Sequence, residues 1–190
     1  MTIYRWLIAA LWLGLCAYWA ISAVRVKRNL DRRASWKEFG LRGLVAALVL
    51  LLLAVPPLRH LLRELQADQT RSAALGVIGV ILCAAGIGLM VAARIHLGRN
   101  WGMPVSRKED PELVMSGPYA RVRHPIYGGI MLAMLGTTIG ASVFWAVPLV
   151  LFGIYFVHAA RREENNMIRQ FPEQYPAYMR RTRMLLPLVL

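Results

Sequence analysis

"AALGVIGVILCAAGIGLMVAA", residues 73 to 93, contains no charged residue and no proline. As an α-helix it extends about 30 Å, the thickness of a bilayer's hydrocarbon core. Gly79, Cys83 and Gly86 recur at spacings of four and three, so small residues share one face on which a second helix can pack closely. This stretch predicts a membrane span.

Working outward, the run from Trp6 to Val24 predicts a first span, and Leu41 to Val55, closed by Pro56-Pro57, a second. Arg5 is a thin basic n-region, but the apolar run behind it exceeds an ordinary signal-peptide core, which favours a retained helix. Ile126 to Ile139 and Val143 to His158 predict two further helices about the turn Gly140-Ala141-Ser142. Both are short for spans, and polar-ended extensions or a shallow hairpin would accommodate them; five spans is the favoured reading. Gly129, Ala133, Gly136 and Gly140 place a second small-residue stripe on the fourth helix.

Composition agrees. The 190-residue chain is 57% hydrophobic yet carries a formal charge of +13, which suits a membrane protein with basic loops and excludes a nucleic-acid binder. Cys16 and Cys83 both lie inside apolar runs, which disfavours a disulfide framework or a metal site. The fold class expected is an all-α integral membrane protein of about five transmembrane helices. Residues 1–93 form a three-span region and 94–190 a catalytic region, with a cytoplasmic cofactor pocket built from the last two spans and the C-terminal tail.

Charge sets the expected topology. Arg25 to Arg42 holds seven lysines and arginines, Arg94 to Arg123 six and Arg161 to Arg183 six, against three from Pro56 to Ser72. The positive-inside rule puts the N-terminus outside and the C-terminus in the cytoplasm, in a bacterial inner membrane.

Chemistry concentrates at "GPYARVRHPIYGG", residues 117 to 129. Pro125 suits a first helical position, with His124 at the cap and the next amides turned outward, an arrangement that attracts anions. Arg121 and Arg123 add positive charge, and Gly128 and Gly129 admit a close neighbour. Taken singly, these residues also fit anchoring to lipid headgroups and an interfacial aromatic belt. The second cluster is "RREENNMIRQFPEQYPAYMRRTRMLLP", residues 161 to 187. Glu163 and Glu164 point about 100° apart on a helix, so one can face a pocket while the other pairs with a base, Arg161 being the local candidate. An anion corner and an inward acid together suit a zwitterion.

The two clusters, "SGPYARVRHPIYGG" and "EEN" followed by "FPEQYPAYMRRTRMLLP", resemble the isoprenylcysteine carboxyl methyltransferase family, and in part the membrane methyltransferases of phospholipid amines. The resemblance covers about Leu97 to Pro187. It implies S-adenosylmethionine as cofactor, with His124, Pro125 and Tyr127 at its methionine end, Glu163 or Glu164 near the amino group, and Tyr119 and Gly128 among the cofactor-binding residues. Tyr175, Tyr178, Thr182 and Arg183 match a covering C-terminal segment, and "LGRNW" at 97–101 a pocket-lining loop. Arg123, Glu163 and Glu164 are the implied catalytic residues, Arg123 beside the reacting group. The implied partner is a lipid-like or prenylated methyl acceptor in the membrane; no metal and no nucleic acid are expected. Pro172, where the family has glycine, and Pro176 should break or bend the covering helix. The alternatives are a membrane amine N-methyltransferase, a sterol-reductase-like enzyme using NADPH, and a non-catalytic membrane scaffold.

The charge bias carries a test. A reporter fused after Leu190 should read cytoplasmic and one inserted near Gln66 external; the reverse pattern would separate the two clusters from a soluble cytoplasmic cofactor.

Overall fold

A computed structural model describes residues 3–22, 72–100 and 112–185, and among these the chain is helical with no β-strand. Helix α1 runs Ile3–Ser22, α2 Ala73–Leu97, α3 Pro125–Gly140, α4 Ala146–Gln170 and α5 Gln174–Arg181. Among the described residues, three helical segments are long and apolar enough to cross a membrane: Ile3–Ser22, Ala73–Leu97 and Val143–Gln170. Helix α3 is apolar but has only 16 residues. The expected second span, Leu41 to Val55, lies outside the described residues, as do residues 101 to 111.

The two small-residue stripes meet. Helices α2 and α3 run antiparallel, with Gly79 against Gly140 and Gly136, and Gly86 against Ala133 and Gly129. A methyl group added at Gly136 would lie 2.5 Å from the carbonyl oxygen of Gly79, and one at Gly86 2.5 Å from that of Gly129. Both obstacles are backbone, so neither can move aside. This close approach maximises dispersion contacts where lipid gives helices no hydrophobic reason to associate.

Helix α1 lies along both. Tyr4 packs on Gly76 at one end, and the buried Arg94 donates to the carbonyl of Ser22 at 2.6 Å at the other, so α1 and α2 are parallel. Ser22 and Ala73 therefore sit at opposite ends of the bundle. Arg94 also donates to the carbonyl of Gly98 at 2.7 Å, tying two helix C-termini together. Deeper in, the Trp12 indole donates to Thr137 Oγ1 at 3.0 Å, and Thr137 donates to the carbonyl of Ala133 at 2.8 Å. The Trp12 indole and the Thr137 hydroxyl thereby have partners in a region without water.

Helix α4 differs from expectation in a useful way. The apolar run was expected to stop at His158, but the helix continues to Gln170 without a break. Its apolar part and the Glu163-Glu164 pair therefore form one rigid rod. Pro172 then lies in the turn that ends α4, and Pro176 falls in the first turn of α5, where a missing amide costs little. The start of α3, the end of α2 and the polar end of α4 share one end of the bundle.

The seam generates a contrast. Gly136→Val should overpack the α2–α3 contact and cost roughly 1–3 kcal/mol or more, lowering the melting temperature in detergent. Gly88→Ala, at an exposed helical position with nothing within 4 Å of the added methyl, should be neutral or slightly stabilising.

Candidate functional site

The site forms where three segments converge: residues 117–128, the polar end of α4, and a strap formed by residues 171–185. Gly117 starts the first segment with a left-handed φ of 58°, packed against the His96 ring so closely that no side chain fits there. Pro118 to Ala120 make a short 3-10 turn, after which His124 caps α3 and Pro125 occupies its first position, as the sequence predicts.

The strap lies alongside this segment in parallel. Arg183 N donates to the carbonyl of Arg121 at 3.1 Å, Arg123 N to that of Arg183 at 2.8 Å, and His124 N to that of Met184 at 3.0 Å. Gly128 makes room for the carbonyl of Leu185, which would lie 2.7 Å from any added Cβ. The sequence suggested a helix end open to an external anion. The structure instead brings the strap's own carbonyl groups against that end.

Arg123 joins all three segments. Its side chain is only 9% exposed, and Nε donates to Glu164 Oε1 at 2.6 Å. Nη1 donates to the carbonyls of Thr182 at 2.5 Å and Met179 at 3.3 Å. No partner for Nη2 occurs among the described residues. Glu164 is buried with its charge matched by Arg123; the neighbour suggested by sequence, Arg161, is exposed instead. Partner choice was illegible locally because Arg123 lies 41 residues away.

Glu163 has a different environment. Its side chain is 34% exposed, and Oε2 accepts from the Tyr127 hydroxyl at 3.1 Å. His124 sits between the two acids: Nδ1 is 3.7 Å from Glu163 Oε2, and Nε2 is 3.4 Å from Glu164 Oε1. Nε2 is buried and makes no hydrogen bond, the latter distance and direction being unsuitable. The His124 ring stacks on Tyr127 at 5.4 Å between centroids, Tyr127 on Phe156 at 4.9 Å, and Phe156 on Phe152 at 5.9 Å. Phe156 was not singled out from the sequence. Its position two helical turns before Glu163 and Glu164, on their face of α4, is the signal that could have found it.

Tyr178 is buried and donates to the carbonyl of Tyr119 at 2.6 Å; Tyr175 is buried beside it, ring centroids 5.8 Å apart. Burial pushes the Tyr178 hydroxyl up to about 12 and raises Tyr119 and Tyr175 as well. All three therefore remain protonated donors at neutral pH. Arg183 contributes its backbone to the strap pairing, while its side chain is exposed. In "LGRNW", Gly98 caps α2 with a φ of 52° and Asn100 donates to Glu112 at 3.2 Å, while Trp101 lies outside the described residues. No group of three or more potential metal-ligating side chains occurs among the described residues.

These features define a helical membrane protein whose paired carboxylates, one buried and one half-exposed, meet a histidine-capped helix under a C-terminal strap. The chain belongs to the phospholipid methyltransferase family, whose profile matches residues 75–174. It is 29% identical over 104 residues to the nickel-cobalt-cadmium resistance protein NccN of Alcaligenes xylosoxydans xylosoxydans, covering 53% of this chain and 48% of that one. It is 31% identical over 123 residues to the protein-S-isoprenylcysteine O-methyltransferase of Xenopus laevis, covering 60% of this chain and 41% of the relative. The chain thus spans about half the length of the curated relatives it matches. Among solved structures, the eukaryotic intramembrane Ras methyltransferase ICMT shares the fold, with a TM-score of 0.57 and 22% identity over 84% of this chain and 55% of that one.

The two glutamates should separate experimentally. Glu164→Gln leaves a buried guanidinium without its counter-charge and should cost roughly 3–5 kcal/mol, visible as a large fall in detergent melting temperature. Glu163→Gln, half-exposed and bonded only through a tyrosine hydroxyl, should leave melting nearly unchanged.

Proposed function

We propose that this chain is an integral-membrane methyltransferase that uses S-adenosylmethionine to methylate a carboxylate on a lipid-like, isoprenylcysteine-type acceptor. The observation that carries the reading is the division of labour between the glutamates. One is consumed by Arg123, which leaves Glu163 as a half-exposed carboxylate, oriented by Tyr127 and 3.7 Å from His124 Nδ1. A half-exposed carboxylate beside a helix-capping imidazole fits the ammonium of an amino-acid end. Family membership and the isoprenylcysteine methyltransferase relative support the same chemistry.

When bound, S-adenosylmethionine supplies a methyl group on a cationic sulfonium, and its transfer to a carboxylate yields a neutral thioether and releases no proton. Glu163, oriented by Tyr127, holds the ammonium, and His124 with Pro125 lines the methionine end. Tyr175 and Tyr178, held in the strap, cover the pocket and exclude water, which removes the solvation that favours separated charges. Arg123 is anchored through Nε and Nη1, so Nη2 is the donor it can present to an acceptor carboxylate. Alignment in a dry pocket then performs most of the catalysis, and no general base is required, since a carboxylate of ordinary pKa near about 4 is already ionised. The strap side of the bundle faces the cytoplasm by the charge bias of its loops.

Purified protein should bind labelled S-adenosylmethionine and not NADPH, with Glu163→Ala and His124→Ala weakening binding at least about ten-fold, the loss of roughly one charge-assisted hydrogen bond. Preferential NADPH binding would establish the reductase reading, and binding of neither the scaffold. For the acceptor, a prenylated cysteine carboxylate offered beside a phosphatidylethanolamine should gain a base-labile methyl ester. Methylation of the amine lipid alone would overturn the carboxylate assignment and make Glu163 the candidate base.

A further inference from the structure

Besides Arg162, the polar end of the bundle carries six exposed arginines: Arg121, Arg161, Arg169, Arg180, Arg181 and Arg183. None forms an ion pair among the described residues. The carboxylates of this end are otherwise occupied or distant in role: Glu164 by Arg123, Glu163 by Tyr127 and Glu112 by Asn100, which leaves Glu173 at the start of α5. The cationic surface is therefore not neutralised from within the described structure.

Four of these arginines flank the strap. Arg180 and Arg181 end α5, and Arg183 follows on the extended segment that pairs with Arg121. Arg121 and Arg183 are joined by a 3.1 Å backbone hydrogen bond, so two exposed cations stand on adjacent backbones. Exposed cations gathered on one short segment leave that side of the strap strongly positive. Against this charge the strap is held by its backbone pairing with residues 121–124, by the Arg123 bonds to the carbonyls of Met179 and Thr182, by the Tyr178 bond to Tyr119 and by the burial of Tyr175 and Leu185. Arg121 is within four residues of Pro125, where apolar α3 begins, and so lies near the headgroup layer of the bilayer.

We propose that this arginine rim docks the strap onto the anionic headgroups of its own leaflet, and that the docking holds the strap closed over the His124–Glu163 corner. Guanidinium groups bind phosphate oxygens through paired N–H donors. Headgroup phosphates at the rim would give these cations the counter-charge that the described acids do not supply. Clusters of basic side chains at a membrane surface gain from anionic lipid in this way, and lose the gain as salt shortens the Debye length. The inference concerns the strap's position and does not require the methyl acceptor to be a carboxylate.

The test uses the full chain in nanodiscs of phosphatidylcholine alone or of phosphatidylcholine with phosphatidylglycerol in equal parts, digested with chymotrypsin. Tyr178 is buried when the strap is closed, so cleavage after it reports opening, while Tyr175 is protected in either state by Pro176 behind it. Cleavage should be about ten-fold slower in the anionic discs, and high salt should abolish the difference. The variant Arg121→Gln/Arg180→Gln/Arg181→Gln, which leaves Arg183 in place as a proposed cofactor contact, should be cleaved equally fast in both discs. Equal cleavage of the wild type in the two lipids overturns the proposal. So does full protection by inorganic phosphate in neutral discs, which would make the rim a free-anion site. Should the triple variant unfold, the lipid and salt dependence of the wild type decides alone. Cleavage needs no methyl transfer, so failure here and failure of the proposed activity are separately visible.

Discussion

The Arg123–Glu164 ion pair is the constraint on which the polar end of the molecule depends. Both side chains are more than nine-tenths buried, and a charge removed from water must find an opposite charge or be expelled. The pair therefore fixes several things together. It sets the rotation of α4, because Glu164 must turn inward toward the segment that precedes α3. It also fastens the strap, because the donors of Arg123 not used by Glu164 reach the carbonyls of Met179 and Thr182. With α4 so rotated, Glu163 emerges about a quarter-turn away, at the rim, where Tyr127 receives it. The carboxylate exposed for binding is placed by the one that is buried.

The height at which this happens is set by the glycine seam. Contacts from Gly79 with Gly140 to Met90 with Gly129 run nearly the whole length of α3, which leaves little freedom to slide one helix past the other. Consecutive glycines serve different neighbours. Gly129 faces α2, while Gly128 faces the strap at Leu185. A side chain at the first would push the membrane helices apart, and one at the second would lift the strap from the start of α3. The short sequence Gly128-Gly129 thus couples the packing of the bundle to the closure of the site.

Much of this was legible in the chain. The stripes at Gly79, Cys83, Gly86 and at Gly129, Ala133, Gly136 predicted both helices and the faces on which they meet, since helical periodicity is a local property. Pro125 and His124 predicted the start of α3 for the same reason. What sequence could not disclose was pairing across distance. Locally Arg161, three residues before Glu164, is the basic neighbour on offer, whereas the partner of Glu164 is Arg123, brought near by the hairpin of α3 and α4. The helix end that seemed open to an anion is met by the carbonyls of residues 183–185, brought there by a backbone pairing with no side-chain signature. Arg94, an undistinguished base near the end of α2, became the link between two helix termini because Ser22 lies beside it.

The aromatic column connects the two regimes of the molecule. Phe152 and Phe156 belong to the apolar part of α4, Tyr127 to the first turn of α3, and His124 to its cap. Stacked in that order, they extend from the lipid-embedded helix to the buried imidazole without an intervening polar gap. Their faces shield one side of the Glu163 carboxylate from water, so a charge met there interacts at a lower effective dielectric than one at an open surface. Only the Tyr127 hydroxyl breaks the apolar character of the column, and it does so at Glu163, where a donor is needed. Phenylalanine at that position would preserve the stack and lose the orientation of the carboxylate. The column alone therefore does not define the site; the position of one oxygen within it does.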